Sequence, residues 1–143
     1  MTDLRARSIR TLAWLGDVEF EREVRYRLAS RGDYPTDRLD AMKTGVVRAE
    51  AQARLLEQVL PALHPEELEI VRRGRNAAPP AAARGGRRRT QEYRAATAFE
   101  VLVATWCLHG DSGRARLHEV LDGPLTVAID DAVEAHARRP RRG

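Results

Sequence analysis

Apolar residues recur at three- and four-residue spacing along most of the chain, which is the period of amphipathic helices. Ile9, Leu12, Ala13, Gly16, Phe20, Val24 and Leu28 form one such stripe, predicting a helix over residues 8–29 that Gly32 and Pro35 end. Leu39, Met42, Val46, Ala49, Ala53, Leu56 and Leu60 form a second, predicting one helix over residues 37–60. Pro65 followed by Glu66 and Glu67 starts a third, ending near Gly74. Alternating Val/Ile/Thr runs and Asn-Gly turns are absent, so the expected fold class is all-α, and no internal repeat is present.

Pro79, Pro80, Gly85 and Gly86 interrupt the pattern, predicting a mobile basic loop over residues 76–89. Thr90 is the expected cap of a fourth helix reaching His109. A turn at residues 110–113, a short helix over 114–121, a break at Gly123 and Pro124, and a last helix over 126–137 complete the reading. Residues 140–143 are expected to fray. The organisation read from this is one helical domain over residues 1–123, then a C-terminal helix and basic tail over 124–143.

The length of 143 residues allows one core, too little for a catalytic domain plus a separate binding module. No run of about 18 apolar residues occurs, so no membrane span is expected. The first nine residues lack the apolar stretch of a secretory leader. The single cysteine, Cys107, excludes an internal disulfide and a cysteine-based zinc cluster, and fits a cytoplasmic setting. Lys43 is the only lysine among 25 basic residues, a bias that GC-rich codons alone could produce. The distribution is more informative. Arg72, Arg73, Arg75, Arg84, Arg87, Arg88, Arg89 and Arg94 face a single acid, Glu92, and four more arginines (Arg138, Arg139, Arg141, Arg142) end the chain. Clustered arginine is the electrostatic footprint of a nucleic-acid binder.

Two acids stand in unexpected places. Between Ala95 and Leu108 the only charged residue is Glu100, on a helix apolar enough to be buried on most sides. A buried carboxylate needs an arginine, a raised pKa or a metal. Asp17 lies at the edge of the first apolar stripe, beside Gly16, which leaves room for another helix or a ligand. Together they suggest a hard-cation site of the magnesium kind; the alternative is that both pair with core arginines. Glu21, one turn beyond Asp17, either holds a metal-bound water or pairs with Arg25. Glu50 reads as a solvated acid, and the four histidines show no paired spacing for acid–base work.

These residues also spell a family pattern. Leu15, Gly16 and Asp17, with Phe20 and Glu21 following, resemble the signature helix of the ribonuclease III family. Val47 to Ala53, then Arg73, Gly74, Arg75, Asn76 and Ala77, then Tyr93, Arg94, Thr97, Ala98, Phe99 and Glu100, resemble the motifs of Mini-ribonuclease III, the branch with a catalytic domain and no double-stranded RNA-binding domain. The likeness runs over residues 12–121. Larger ribonuclease III enzymes carry additional acids where this chain has Arg10, Ala13 and Thr97, and the Mini branch commonly has lysine where this chain has Glu50 and Ala78.

The resemblance implies a homodimeric all-α endonuclease that hydrolyses double-stranded RNA with Mg2+ (Mn2+ being an alternative), in maturation of 23S ribosomal RNA precursors. It implies that Asp17 and Glu100 are the catalytic, metal-holding pair, with Glu21 a possible support behind them. Arg72, Arg73, Arg75, Asn76, Arg84, Arg87, Arg88, Arg89 and Arg94 are the expected RNA contacts, gripping phosphates and reading shape rather than sequence. A dimer would set two sites on one duplex, with alanine-rich helix faces and Trp106 as candidate seams. Without a second RNA-binding domain, a helper such as a ribosomal protein is expected to place the RNA. The competing expectations are a catalytically inactive RNA- or ribosome-binding protein of the same fold, and a helical interaction module whose arginines reflect codon usage.

Overall fold

A computed structural model describes residues 3–77 and 86–137, and these are helical with no strand among them. Six helices follow in order: α1 (Ile9–Ala29), α2 (Thr36–Val47), α3 (Ala49–Val59), α4 (Pro65–Arg75), α5 (Arg87–Leu108) and α6 (Gly110–Ala137). Short 3-10 turns stand at Leu4–Ala6 and Leu60–Ala62. α5 forms the axis, with α1, α3, α4 and α6 packed around it, and α2 closes against α1 and α6. Its own residues explain the placement. Ala95 to Phe99, Val101 to Ala104 and Trp106 are buried, so it is covered on nearly every side.

α1 starts where expected, because the Ser8 hydroxyl accepts a hydrogen bond from the Thr11 N–H at 3.2 Å. The buried positions Leu12, Gly16, Phe20, Val24 and Leu28 are the predicted stripe. Phe20 meets Phe99 edge to face, with ring centroids 4.9 Å apart.

The single helix expected over residues 37–60 is two helices. Arg48 is extended (φ −64°, ψ 156°) between α2 and α3. The break rephases the apolar stripe. Met42 and Val46 are buried on α2, but on α3 the buried set is Ala51, Gln52, Leu55, Leu56 and Val59, while Ala49 is exposed. The Val47 carbonyl freed at the break accepts a hydrogen bond from Gln52 Nε2 at 2.7 Å.

α5 also starts earlier than expected. Gly86, at φ 92°, takes the left-handed turn before it, and Arg87, Arg88 and Arg89 form its first turn rather than part of a loop. Thr90 is inside the helix, its hydroxyl donating to the Gly86 carbonyl at 2.9 Å. α6 runs unbroken through Gly123 and Pro124, where a break and two helices were expected. An interior proline costs about 3 kcal/mol. Val120, Leu121, Leu125 and Ile129, buried on both sides of it, bring about 1.5–3 kcal/mol each, which outweighs that loss. Ala78, Arg84 and the arginines of the tail lie outside the described residues, as do the expected frayed end and residues 78–85 of the expected loop. Among the described residues, no helix is long and apolar enough to cross a membrane.

Candidate active site and basic groove

Gly16 sets the geometry of the site. A Cβ there would lie 1.8 Å from the Glu100 carbonyl oxygen, so glycine is what lets α1 cross α5 at this level. The close crossing places the next residue, Asp17, beside Glu100. Both line a pocket of about 430 Å3, together with Arg10, Trp14, Gln52 and Tyr93. That volume accommodates a hydrated cation and a phosphodiester group.

Asp17 is exposed at the mouth and Glu100 is largely covered. Burial is the main cause that pushes the Glu100 carboxyl up to about 8; the negative charge of Asp17 and a hydrogen bond with it act in the same direction. At neutral pH Glu100 therefore holds its proton beside Asp17. No basic side chain of the described residues offsets these effects, which argues against the alternative that Glu100 is neutralised by a core arginine. A carboxyl pair lining one pocket has the donor chemistry for a hard divalent ion. Among the described residues no third His, Cys, Asp or Glu completes a larger ligand cluster. Magnesium tolerates this, since it keeps several waters and takes one or two carboxylates.

Glu21 does not join the pair. It is bound to Arg25 at 3.1 Å, as one sequence reading held, and also to Lys43 at 3.4 Å, which draws it toward α2. Trp106 is core: it is 4% exposed and its Nε1 donates to Glu67 at 2.6 Å, so it forms no surface seam.

A second groove opens next to the pocket, between α3, the end of α4 and the start of α5. It brings together Arg75, Asn76, Arg88 and Arg94 from the expected RNA contacts. It adds Arg54, which sequence reading missed although Glu50, Arg54 and Glu57 repeat at helical spacing on the polar face of α3. Glutamates share the groove: Glu57 pairs with Arg75 at 3.3 Å, and Glu92 with Arg88 at 3.3 Å. Glu50, at its edge, pairs with Arg48 at 3.2 Å. Arg72, Arg73, Arg87 and Arg89 are exposed nearby but do not line the groove; Arg72 is held by Glu69 at 2.9 Å. Gly74 seats α4 here, since a Cβ would lie 2.6 Å from the Ala98 Cα.

The chain matches the Ribonuclease III domain family over residues 10–111. It is 43% identical over 107 residues to a Mini-ribonuclease 3 of Desulfitobacterium hafniense, a match spanning 73% of this chain and 64%, just under two thirds, of that relative. It is 42% identical over 111 residues to a Mini-ribonuclease 3 of Symbiobacterium thermophilum, spanning 78% of this chain and 82% of the relative. A crystal structure of a Fusobacterium nucleatum protein has the same fold, with a TM-score of 0.64 at 23% identity, covering 94% of this chain and 99% of that one. With Asp17 and Glu100 side by side where α1 crosses α5 and a family match over most of its length, the chain belongs to the ribonuclease III family of endoribonucleases, in the Mini-ribonuclease III branch.

Proposed function

We propose that this chain hydrolyses phosphodiester bonds in double-stranded RNA with the help of a divalent cation, magnesium or, in its place, manganese. The observation that carries the reading is the Asp17–Glu100 pair, set in a pocket that opens beside an arginine groove. Asp17 and Glu100 would hold the cation. When bound, it supplies Lewis-acid activation of water and neutralises charge on the phosphate. Glu100 must give up its proton to serve. Arg75 and Arg88 seat the flanking phosphates as they exchange their glutamate partners for RNA, and Arg94, in the same groove, seats another. Duplex RNA is then read by shape across its minor groove.

A homodimer fits this reading. Trp14 and Val18 are 70% and 63% exposed on one line of α1, and Trp14 also edges the pocket. A two-fold contact through that line would set two pockets on one duplex. The resemblance to Mini-ribonuclease III supports a cytoplasmic role on 23S ribosomal RNA precursors, with a ribosomal protein as helper. The reading is tested by incubating purified protein with labelled duplex RNA, single-stranded RNA and duplex DNA, with magnesium or with EDTA. Cutting confined to duplex RNA and to magnesium is expected. Salt-sensitive duplex binding without cutting in magnesium, or in manganese added in its place, would favour the inactive RNA-binding alternative.

A further inference from the structure

Gln52 stands in the wall of the same pocket, on the first turn of α3, and is 3% exposed. Its orientation is fixed. Nε2 donates to the Val47 carbonyl at 2.7 Å, and a turned-over amide would set two oxygens against each other. Oε1 therefore faces away from Val47, and among the described residues it meets no donor. Native proteins leave few buried acceptors in this state. Among the residues that share the pocket, Ala49 and Ala96 are apolar, and the Thr97 hydroxyl already donates to the Tyr93 carbonyl at 3.0 Å.

The chemistry of the ligand narrows what can fill this need. The backbone of duplex RNA presents phosphate oxygens, which only accept, and the ribose 2′-hydroxyl, which donates. The carboxyl pair addresses a cation and the arginines address phosphate. An acceptor in the same pocket has the hydroxyl left to address.

Resting on the nuclease reading of the pocket, we propose that Gln52 is a specificity-determining residue: its Oε1 accepts a hydrogen bond from the 2′-hydroxyl of a nucleotide beside the scissile phosphate, so that the site selects ribose over deoxyribose. Oε1 is buried, on a residue that lines the pocket. The terminal amide torsion is soft, and a small turn brings the oxygen forward as a strand seats while Nε2 stays on Val47.

The test is a cycle between protein and substrate. Wild type and Gln52→Met are given duplex RNAs that are all ribose, or that carry a single 2′-deoxy at each nucleotide flanking the cut. Single-turnover cleavage is followed with magnesium, and affinity for the same duplexes is measured in EDTA. One deoxy position is expected to slow wild type about tenfold, the worth of one neutral hydrogen bond. Gln52→Met should cut the all-ribose duplex more slowly by a similar factor and lose nothing further at that position. A residue that only props the wall gives additive losses instead, which would overturn the proposal. So would a wild type indifferent to deoxy at every position. Gln52→Ala is read in the same way should circular dichroism show that Gln52→Met has lost its fold. If wild type fails to cut even the all-ribose duplex, the nuclease reading falls; equal affinity for ribose and deoxy duplexes would then reject the role of Gln52 as well.

Discussion

Glu100 concentrates the physics of this molecule in one side chain. An unfolded chain would ionise it near 4.5, whereas in the fold its carboxyl is pushed up to about 8, by burial first and by Asp17 second. Between those values only the folded state binds the proton, so this site's contribution is complete below about pH 4.5 and falls as pH rises through 8. The loss is on the order of 4 kcal/mol by the alkaline end. Glu100→Gln, with no charge to bury, should therefore melt higher than wild type at pH 8.5 in EDTA, and the gap should close below pH 5; differential scanning calorimetry over that range reads it. Gly16 shows the opposite economy. In a helix Ala is worth about 1 kcal/mol more than Gly. Here a methyl would collide with the Glu100 backbone, and overpacking costs about 3 kcal/mol. Gly16→Ala should lower stability in urea titrations and displace Asp17 from Glu100. Both acids were legible in the sequence, because a lone charge on an apolar helix and a glycine-flanked acid on an apolar stripe are conspicuous. Gln52 was not: an amide among alanines carries no signal until the fold closes around it.

At the scale of elements, α4, α5 and α6 are tied by Glu67, which no periodicity pointed to. Its carboxylate accepts from the His64 N–H at 2.8 Å, from Trp106 Nε1 at 2.6 Å and from Arg116 at 2.8 Å. Burial alone would raise its pKa, but Arg116, the His64 amide and Trp106 outweigh it and hold the carboxyl at about 2. The stabilisation is present above pH 4.5 and disappears as pH falls toward 2. Glu67→Gln should cost about 3 kcal/mol at pH 7, removing the more buried of the two carboxylates that Arg116 meets, and progressively less below pH 4.5; thermal melts followed by circular dichroism check both limbs. The elements that the sequence disclosed best, α1 and α4, have local signals at both ends. The misjudged boundaries were settled by tertiary packing. Pro124 reads as a breaker, yet Val120, Leu121, Leu125 and Ile129 hold α6 straight through it. Arg48 reads as helix, yet the burial of Val46 and Leu55 requires the phase change it provides. Arg87, Arg88 and Arg89 read as loop because Gly85 and Gly86 precede them, and they are good helix formers once Gly86 has made the turn.

For the whole molecule, two cavities flank the start of α3: the carboxyl pocket on one side, the arginine groove on the other. The exposed Trp14–Val18 line of α1 borders the pocket, so assembly and chemistry are coupled if a second copy docks there. Trp14→Arg should then reduce the mass in solution to that of one 16.1 kDa chain by light scattering and slow cutting of both strands together, while circular dichroism stays unchanged. An unaltered mass would place the seam elsewhere. The central claim is that Asp17 and Glu100 perform magnesium-dependent cleavage of duplex RNA. Its most direct measurement is the single-turnover rate of wild type, Asp17→Asn and Glu100→Gln across a magnesium titration, with duplex affinity recorded for each. The account predicts a magnesium-dependent rate for wild type, losses of about 100-fold or more in both variants, and affinities within a few-fold of wild type. A variant that cuts as fast as wild type at the same magnesium concentration would contradict it.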